Sequence, residues 1–173
     1  SVPDASQSTK LEHSWDKVTP TISAEEAAKR ITNRSPTMKT IQSETVNLYT
    51  PTEGASYAHH PFLASFKGKL YAMFSLGRED EDDCGQHVMI ASCEDFSNWS
   101  APKPLVDVTR GQHSDVVMVP MGFYVYGDTL VAYYRSFEYD ETSLRENGTK
   151  RPLAESTYSI VNNKMHALVS TDG

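Results

Sequence analysis

The densest cluster of charge in the sequence is the acidic run Glu79-Asp80-Glu81-Asp82-Asp83, which follows Arg78. Closely spaced carboxylates repel one another when ionised, so the pKa of one of them rises, as a general acid requires. A catalytic acid at Asp80, Asp82 or Asp83 is therefore one interpretation. A solvated acidic loop is another, and a calcium site is a third, although the spacing and the closing glutamate of an EF-hand are missing.

Two adjacent histidines, His59 and His60, precede Pro61 at the beginning of a β-rich run. An imidazole can bind a carboxylate when it is protonated, or transfer a proton near neutral pH. Neighbouring residues of a strand point to opposite faces, so at most one of the two is expected to face a ligand while the other is structural. We also predict no metal site here, because diverging rings and the lack of a third ligand at motif spacing disfavour zinc.

Further candidate ligand-binding residues lie on either side of these motifs. Arg135 stands in an otherwise apolar run, and its guanidinium could reach an anionic sugar or pair with Glu138. Its neighbour Tyr134 could stack on a sugar or pack in the core. Gln86, after the acidic run, is a candidate for hydrogen bonds to sugar hydroxyls, and Arg78 is counted with the substrate-binding residues.

Length and composition exclude several classes of protein. The chain has 173 residues, of which 23 are acidic and 16 basic, and its net charge is −7. It lacks the basic stripe that nucleic-acid binding requires, and no run reaches the roughly 18 apolar residues of a membrane span. Two cysteines are too few for a disulfide framework. We expect one hydrophobic core and no cofactor.

The sequence divides into a polar leader, 1–39, and a β-rich region, 40–173. Within the leader, Ser23 can cap a helix over residues 23–33 whose first turn carries Glu25 and Glu26. In the β-rich region no long helical pattern separates the short β-branched and aromatic runs, which favours antiparallel pairing. The turns Lys67-Gly68-Lys69 and Gly127-Asp128 are typical of tight hairpins. The predicted runs are Thr40–Tyr49, His60–Phe66, Leu70–Leu76, Val88–Cys93, Val116–Val119, Phe123–Tyr126, Leu130–Phe137 and Tyr158–Val169.

An internal repeat indicates the architecture. Residues 66–80 align with residues 125–140, and residues 87–95 align with residues 165–173, which places Ser92 on Ser170. The offset grows from 60 to 78 residues, so the loop after Tyr139 carries 18 additional residues. Each unit has the strand pattern of a four-stranded blade, so we predict an all-β fold with about two blades of a β-propeller. A generic antiparallel sandwich is the alternative.

A turn motif ends each unit. Ser170-Thr171-Asp172-Gly173 opens the Asp-box pattern S-x-D-x-G-x-x-W, and Ser92–Trp99 is a degenerate copy with Glu94 in the Asp place and Phe96 in the Gly place. In this motif the Asp carboxylate accepts turn N–H groups and the Gly takes a positive φ. We expect the turns to join the third and fourth strands of a blade. Because a propeller needs about 4–8 blades, we expect the sequence to be a fragment.

With these elements, the stretch Ala58–Asp107 resembles the first blade of the sialidase superfamily, six-bladed propellers that hydrolyse terminal sialic acids. The resemblance implies an exo-glycosidase acting on terminal sugars of glycans, with its catalytic acid among Asp80, Asp82 and Asp83. His59-His60-Pro61 stands where the family has Arg-Ile-Pro, whose arginine binds the substrate carboxylate. The family's tyrosine nucleophile belongs to later blades, so the fragment is expected to be inactive alone.

Two other functions stay open at this point. One is a propeller that binds glycans without catalysis, and the other is a propeller polysaccharide lyase. All three imply a carbohydrate partner. By analogy with glycan-degrading propellers, we expect a secreted or periplasmic protein.

Overall fold

The computed structural model describes residues 23–32, 42–152, 154–155 and 157–173. The chain divides into two units, 1–44 and 45–173. The first contains the helix α1, Ala24–Thr32. Ser23 Oγ accepts the N–H of Glu26 at 3.1 Å, and Glu25 pairs with Lys29 one turn later at 3.0 Å, so the predicted cap and helix are confirmed. The rest of the predicted leader lies outside the described residues.

The second unit is all-β, and its named strands pair antiparallel throughout. One sheet has the order β1-β2-β3-β4 and the other the order β5-β6-β7, so the chain follows a meander in each. Such meanders are consistent with successive propeller blades, and a closed six-bladed propeller stays a prediction. Among the described residues, no helix has the length and apolar character needed to cross a membrane. The strands are β1 Tyr57–Phe66, β2 Lys69–Gly77, β3 His87–Cys93, β4 Lys103–Val106, β5 Val117–Tyr126, β6 Thr129–Tyr139 and β7 Ile160–Ser170.

Both predicted hairpin turns are confirmed. Lys67 and Gly68 join β1 to β2 with φ values of 48° and 78°, the two positive φ angles of a type I′ turn. Gly127 and Asp128 join β5 to β6, and Gly127 has a φ of 53°. These turns match the right-handed twist of the strands, which is why two-residue loops suffice.

One core cluster joins the two sheets of the second unit. Met73 and Val88 come from the first sheet, and Met118, Ala132 and Tyr134 from the second, all of them buried. The inner strands lie side by side as the repeat predicts: a Cβ added at Gly122 of β5 would lie 3.5 Å from the ring of Phe62 of β1. The side chains of both sheets therefore share one interior.

Strands β1 and β5 carry the same irregularity 60 residues apart. In β1 the partners change from His59↔Ser75 to Phe62↔Met73, so two residues oppose one. In β5 the change from Pro120↔Tyr134 to Gly122↔Tyr133 also adds one residue. Each is a β-bulge, which bends the strand and redirects its side chains. The repeat therefore extends to the backbone conformation.

Three strand predictions need correction. Residues 42–49 of the predicted run Thr40–Tyr49 form no strand, and residues 42–47 are exposed, whereas β-branched residues favour strands only where they fit a half-buried pleated surface. The runs Val116–Val119 and Phe123–Tyr126 are one strand, because the bulge lets β5 continue. The short strand β4 was not predicted.

The alignment of the third strands is wrong by one residue. In the first sheet Leu70 lies opposite Cys93, and in the second its counterpart Leu130 lies opposite Ser170. Ser170 therefore takes the place of Cys93, not that of Ser92. A second irregularity in the β6–β7 pairing, between Ser136 and Glu138, precedes this stretch. Exposed β7 side chains such as those of Met165 and Val169 give the residue types no buried pattern by which to fix the register.

The turn after β3 joins the third and fourth strands of the first sheet, as expected. Phe96 has a φ of 66°, so it takes the backbone conformation assigned to glycine. Asp95, not Glu94, accepts the N–H groups of Ser97 and Asn98 at 3.0 and 2.8 Å. The N–H of Asn98 is the main reason that the pKa of Asp95 is lowered.

In the second turn, Gly173 has the expected positive φ, 94°, but its N–H is accepted by Ser170 Oγ at 2.8 Å. The carboxylate of Asp172 instead accepts the Ser170 hydroxyl, at 2.9 Å. The serine therefore caps this turn in the place expected for the aspartate.

Candidate functional site

The acidic loop between β2 and β3 is held by two of its own aspartates. Asp83 Oδ2 accepts the N–H groups of Glu79 and Asp80 at 3.0 and 2.9 Å. Asp82 has a φ of 56°, and its carboxylate accepts a hydrogen bond from the amide of Gln86 at 3.2 Å. Two of the three predicted acid candidates thus shape the loop backbone.

Asp80 is the exposed carboxylate of the three, and it lines a cleft. Its Oδ1 accepts the N–H of Glu81 at 2.7 Å, and its Oδ2 lies 3.4 Å from Lys150 Nζ. The N–H of Glu81 is the largest cause that lowers the pKa of Asp80, and the Lys150 ammonium lowers it further. The shift is opposite to the upward shift that the sequence predicts for a general acid, because hydrogen bonds and a cation stabilise the ionised form.

The cleft has a volume of about 490 Å³ and is lined on one side by the acidic loop and on the other by residues 145–152. Lys150 is nearly buried there: its ammonium contacts Asp80 and the carbonyl of Glu81, and lies 5.3 Å from the centre of the Tyr158 ring. Arg78 also lines the cleft and pairs with Asp115 at 3.5 Å. The cationic lining residues are Arg78, Arg145, Lys150 and Arg151.

His59 and His60 do not diverge as predicted. Their ring centroids lie 4.0 Å apart, because His60 has a φ of 52° at the β1 bulge and the alternation of faces is interrupted there. Both rings approach the same carboxylate oxygen: Glu81 Oε1 lies 3.6 Å from His59 Nδ1 and 3.4 Å from His60 Nε2. The bulge thus creates a three-residue cluster that strict strand geometry excludes.

Gln86 is fully buried and connects this cluster to both sheets. Its Oε1 accepts the N–H of Asp82 at 2.9 Å and lies 2.9 Å from His59 Nε2. Its Nε2 donates to the carbonyl of Met118 on β5 at 3.1 Å. The prediction placed Gln86 near sugar hydroxyls, whereas all of its described hydrogen bonds are to the protein.

The two candidates on β6 lie apart from the cleft. Tyr134 is buried in the shared core and stacks on His166, with ring centroids 4.5 Å apart. Arg135 donates from Nε to Asn163 at 2.8 Å and lies over the Phe137 ring. It does not pair with Glu138, whose carboxylate accepts N–H groups from other segments.

The chain matches no protein-family model and no curated protein. A solved structure titled "Sialidase" is similar over 66% of this chain, with a TM-score of 0.47 and 18% sequence identity. The chain spans 13% of the length of that protein.

Lys150 and Glu81 are the site residues that the sequence did not single out. Lys150 lies in the 18-residue extension of the second unit, and that extension was the available signal, because long insertions on a repeat frequently carry function. Glu81 belongs to the acidic run, but its pairing with the histidines depends on the bulge. Neither contact follows from residue spacing alone.

Proposed function

We propose that the chain is part of a glycan-processing protein of the sialidase-like exo-glycosidase class, and that it binds an acidic sugar in the cleft beside Asp80. The proposal depends on one observation: four cationic side chains surround a cleft large enough for a monosaccharide. Carboxylates of sugars are bound by such groups through charge-assisted hydrogen bonds. A secreted or periplasmic location, where glycans are met, is part of the same proposal.

Lys150 is the residue expected to contact the sugar carboxylate first, because its ammonium already faces a carboxylate in the cleft. An anionic sugar bound to Lys150 would place negative charge beside Asp80 and weaken its pairing with the ammonium. Both effects raise the pKa of Asp80. Asp80 would then be protonated in the complex and could donate its proton to the leaving oxygen of the glycosidic bond.

The test is an assay of the intact protein on fluorogenic sialosides and glucuronides, with the matching neutral glycosides for comparison. Asp80→Asn is expected to lower kcat at least about 100-fold, since general acid catalysis contributes a factor of that order or more. Lys150→Gln is expected to raise KM for acidic substrates only. Lys103→Gln, which removes an exposed lysine from β4, is the matched control. Turnover that is unchanged in Asp80→Asn would refute the assignment of the acid.

A second candidate function, glycan binding without catalysis, is favoured by the lowered pKa of Asp80, because an ionised carboxylate supplies no proton. Calorimetric titration with acidic and neutral sugars separates the two functions. Binding of acidic sugars that Lys150→Gln abolishes, without turnover by the wild-type protein, would support binding alone. An unsaturated sugar product would indicate the lyase reaction instead, and the absence of any sugar binding would contradict both proposals.

A further inference from the structure

The cluster of His59, His60 and Glu81 is separate in its chemistry from the cationic cleft. One nitrogen from each ring and one carboxylate oxygen lie within 4.8 Å of one another. Imidazole nitrogen and carboxylate oxygen are zinc ligands, and two histidines with one glutamate form a known type of three-ligand set. The question is whether the positions and hydrogen bonds of these atoms suit a cation.

The measured separations suit a tetrahedral ion. Ligand atoms at about 2.1 Å from a tetrahedral Zn²⁺ lie about 3.4 Å from one another. Glu81 Oε1 lies 3.4 Å from His60 Nε2 and 3.6 Å from His59 Nδ1. Two edges of the tetrahedron are therefore already present at nearly their final lengths.

The hydrogen bonds of Gln86 fix which nitrogen of His59 is free. Gln86 Oε1 accepts the backbone N–H of Asp82, and its Nε2 donates to the carbonyl of Met118, so the orientation of the amide is set by groups that cannot exchange roles. Since Oε1 can only accept, His59 Nε2 must donate to it. A neutral His59 then directs the lone pair of Nδ1 at the Glu81 carboxylate, and two acceptors facing each other require a positive charge between them.

A metal ion accounts for this arrangement better than protons do. Protonating both imidazoles would place two positive charges on rings whose centroids are 4.0 Å apart. His60 Nδ1 is buried without a hydrogen-bond partner, so Nε2 is the nitrogen through which this ring meets a polar group among the described residues. Metal-bound histidines characteristically donate their second nitrogen to a carbonyl or carboxylate, as His59 does to Gln86.

We propose that His59 Nδ1, His60 Nε2 and the carboxylate of Glu81 bind one divalent transition-metal ion of the zinc type, with a fourth position open to water or a ligand oxygen. The β1 bulge positions the two rings, and Gln86 orients the ring of His59 as a supporting residue. The equivalent bulge of β5 carries Val119 and Pro120 in place of the histidines. The bulge is therefore a property of the repeat, and the metal ligands belong to the first unit.

The test is calorimetric titration of the chelator-treated chain with Zn²⁺, followed by Co²⁺ as a spectroscopic probe of four-coordinate geometry. Two variants remove ligands with little change to the backbone. Glu81→Gln alters a half-exposed side chain, and His60→Asn introduces a residue that tolerates a positive φ. Glu79→Gln makes the same charge change in the same loop outside the cluster and is the matched control. Circular dichroism in chelator verifies that each variant is folded.

We expect the wild type and Glu79→Gln to bind one Zn²⁺ per chain and to give the intense visible bands of tetrahedral Co²⁺. Glu81→Gln and His60→Asn should bind at least about 100-fold more weakly, since the loss of a residue that only supports a ligand already costs about 10–100-fold. Zn²⁺ binding that is absent in the wild type, or equally strong in all four proteins, would overturn the proposal. If His60→Asn does not fold, Glu81→Gln decides. No sugar is needed, so the result is independent of the proposed glycosidase.

Discussion

Replacing Gln86 by leucine tests the hydrogen-bond network that supports the histidine cluster. Leucine is similar in size, but it removes the partners of the Asp82 N–H, the His59 Nε2–H and the Met118 carbonyl. A buried polar group that loses its partner costs about 1–3 kcal/mol. Taking the lower limit for each of the three, we expect the free energy of unfolding to fall by about 3 kcal/mol. That is a large part of the roughly 5–15 kcal/mol of a typical domain.

The measurement is urea denaturation of the chain followed by circular dichroism. With an m-value of about 2 kcal/mol per molar urea, a loss of about 3 kcal/mol moves the midpoint down by about 1.5 M. Gln112→Leu is the matched control, because Gln112 is exposed and its substitution should change stability by less than about 0.5 kcal/mol. A Gln86→Leu midpoint equal to that of Gln112→Leu would refute the reasoning.

Two further predictions concern residues outside the candidate site. Burial alone would raise the pKa of Glu138, but hydrogen bonds from the His113 and Ser114 N–H groups and the Asn162 amide outweigh it, so its pKa is lowered from 4.5. The stability contributed by this ionised group is present above pH 4.5 and lost as the pH falls through the lowered value, and Glu138→Gln should cost about 2 kcal/mol at pH 7 and flatten that acid limb in denaturation curves recorded against pH. An acid limb as steep in Glu138→Gln as in the wild type would contradict this role. Phe96 is exposed with a φ of 66°, so Phe96→Gly should raise the thermal midpoint through a gain of about 1 kcal/mol, and a lowered midpoint would show that the ring contributes more than the strain costs.

The local elements of the fold could be predicted because their signals are local. Ser23 and the two glutamates after it indicate a capped helix, and the Lys67-Gly68 pair indicates a two-residue hairpin turn. The all-β class and the 60-residue repeat follow from patterns that recur along the chain. The register of β7 could not be predicted, because an exposed edge strand has no buried face that distinguishes one alignment from the next.

The candidate site could be predicted only in its residue types. Its geometry depends on one extra residue in β1, which the pattern of β-branched residues does not reveal. The sequence does contain one indication: Gly122 stands inside the run that forms β5, and a glycine within a strand often marks a bulge. Carried back by 60 residues, that indication predicts the irregularity near His60. The cationic side of the cleft comes from a long loop whose path no short-range pattern specifies.

The paired bulges have a consequence for the history and the engineering of this fold. A backbone feature shared by both units, but carrying different side chains, is most simply an inheritance from a common ancestral segment that was older than the histidines. The copy in β5 is therefore a natural blank on which the same chemistry can be rebuilt. Installing histidines at Val119 and Pro120, with Glu141 at the position that corresponds to Glu81, asks whether a conformation conserved by duplication is sufficient to transplant a reactive centre.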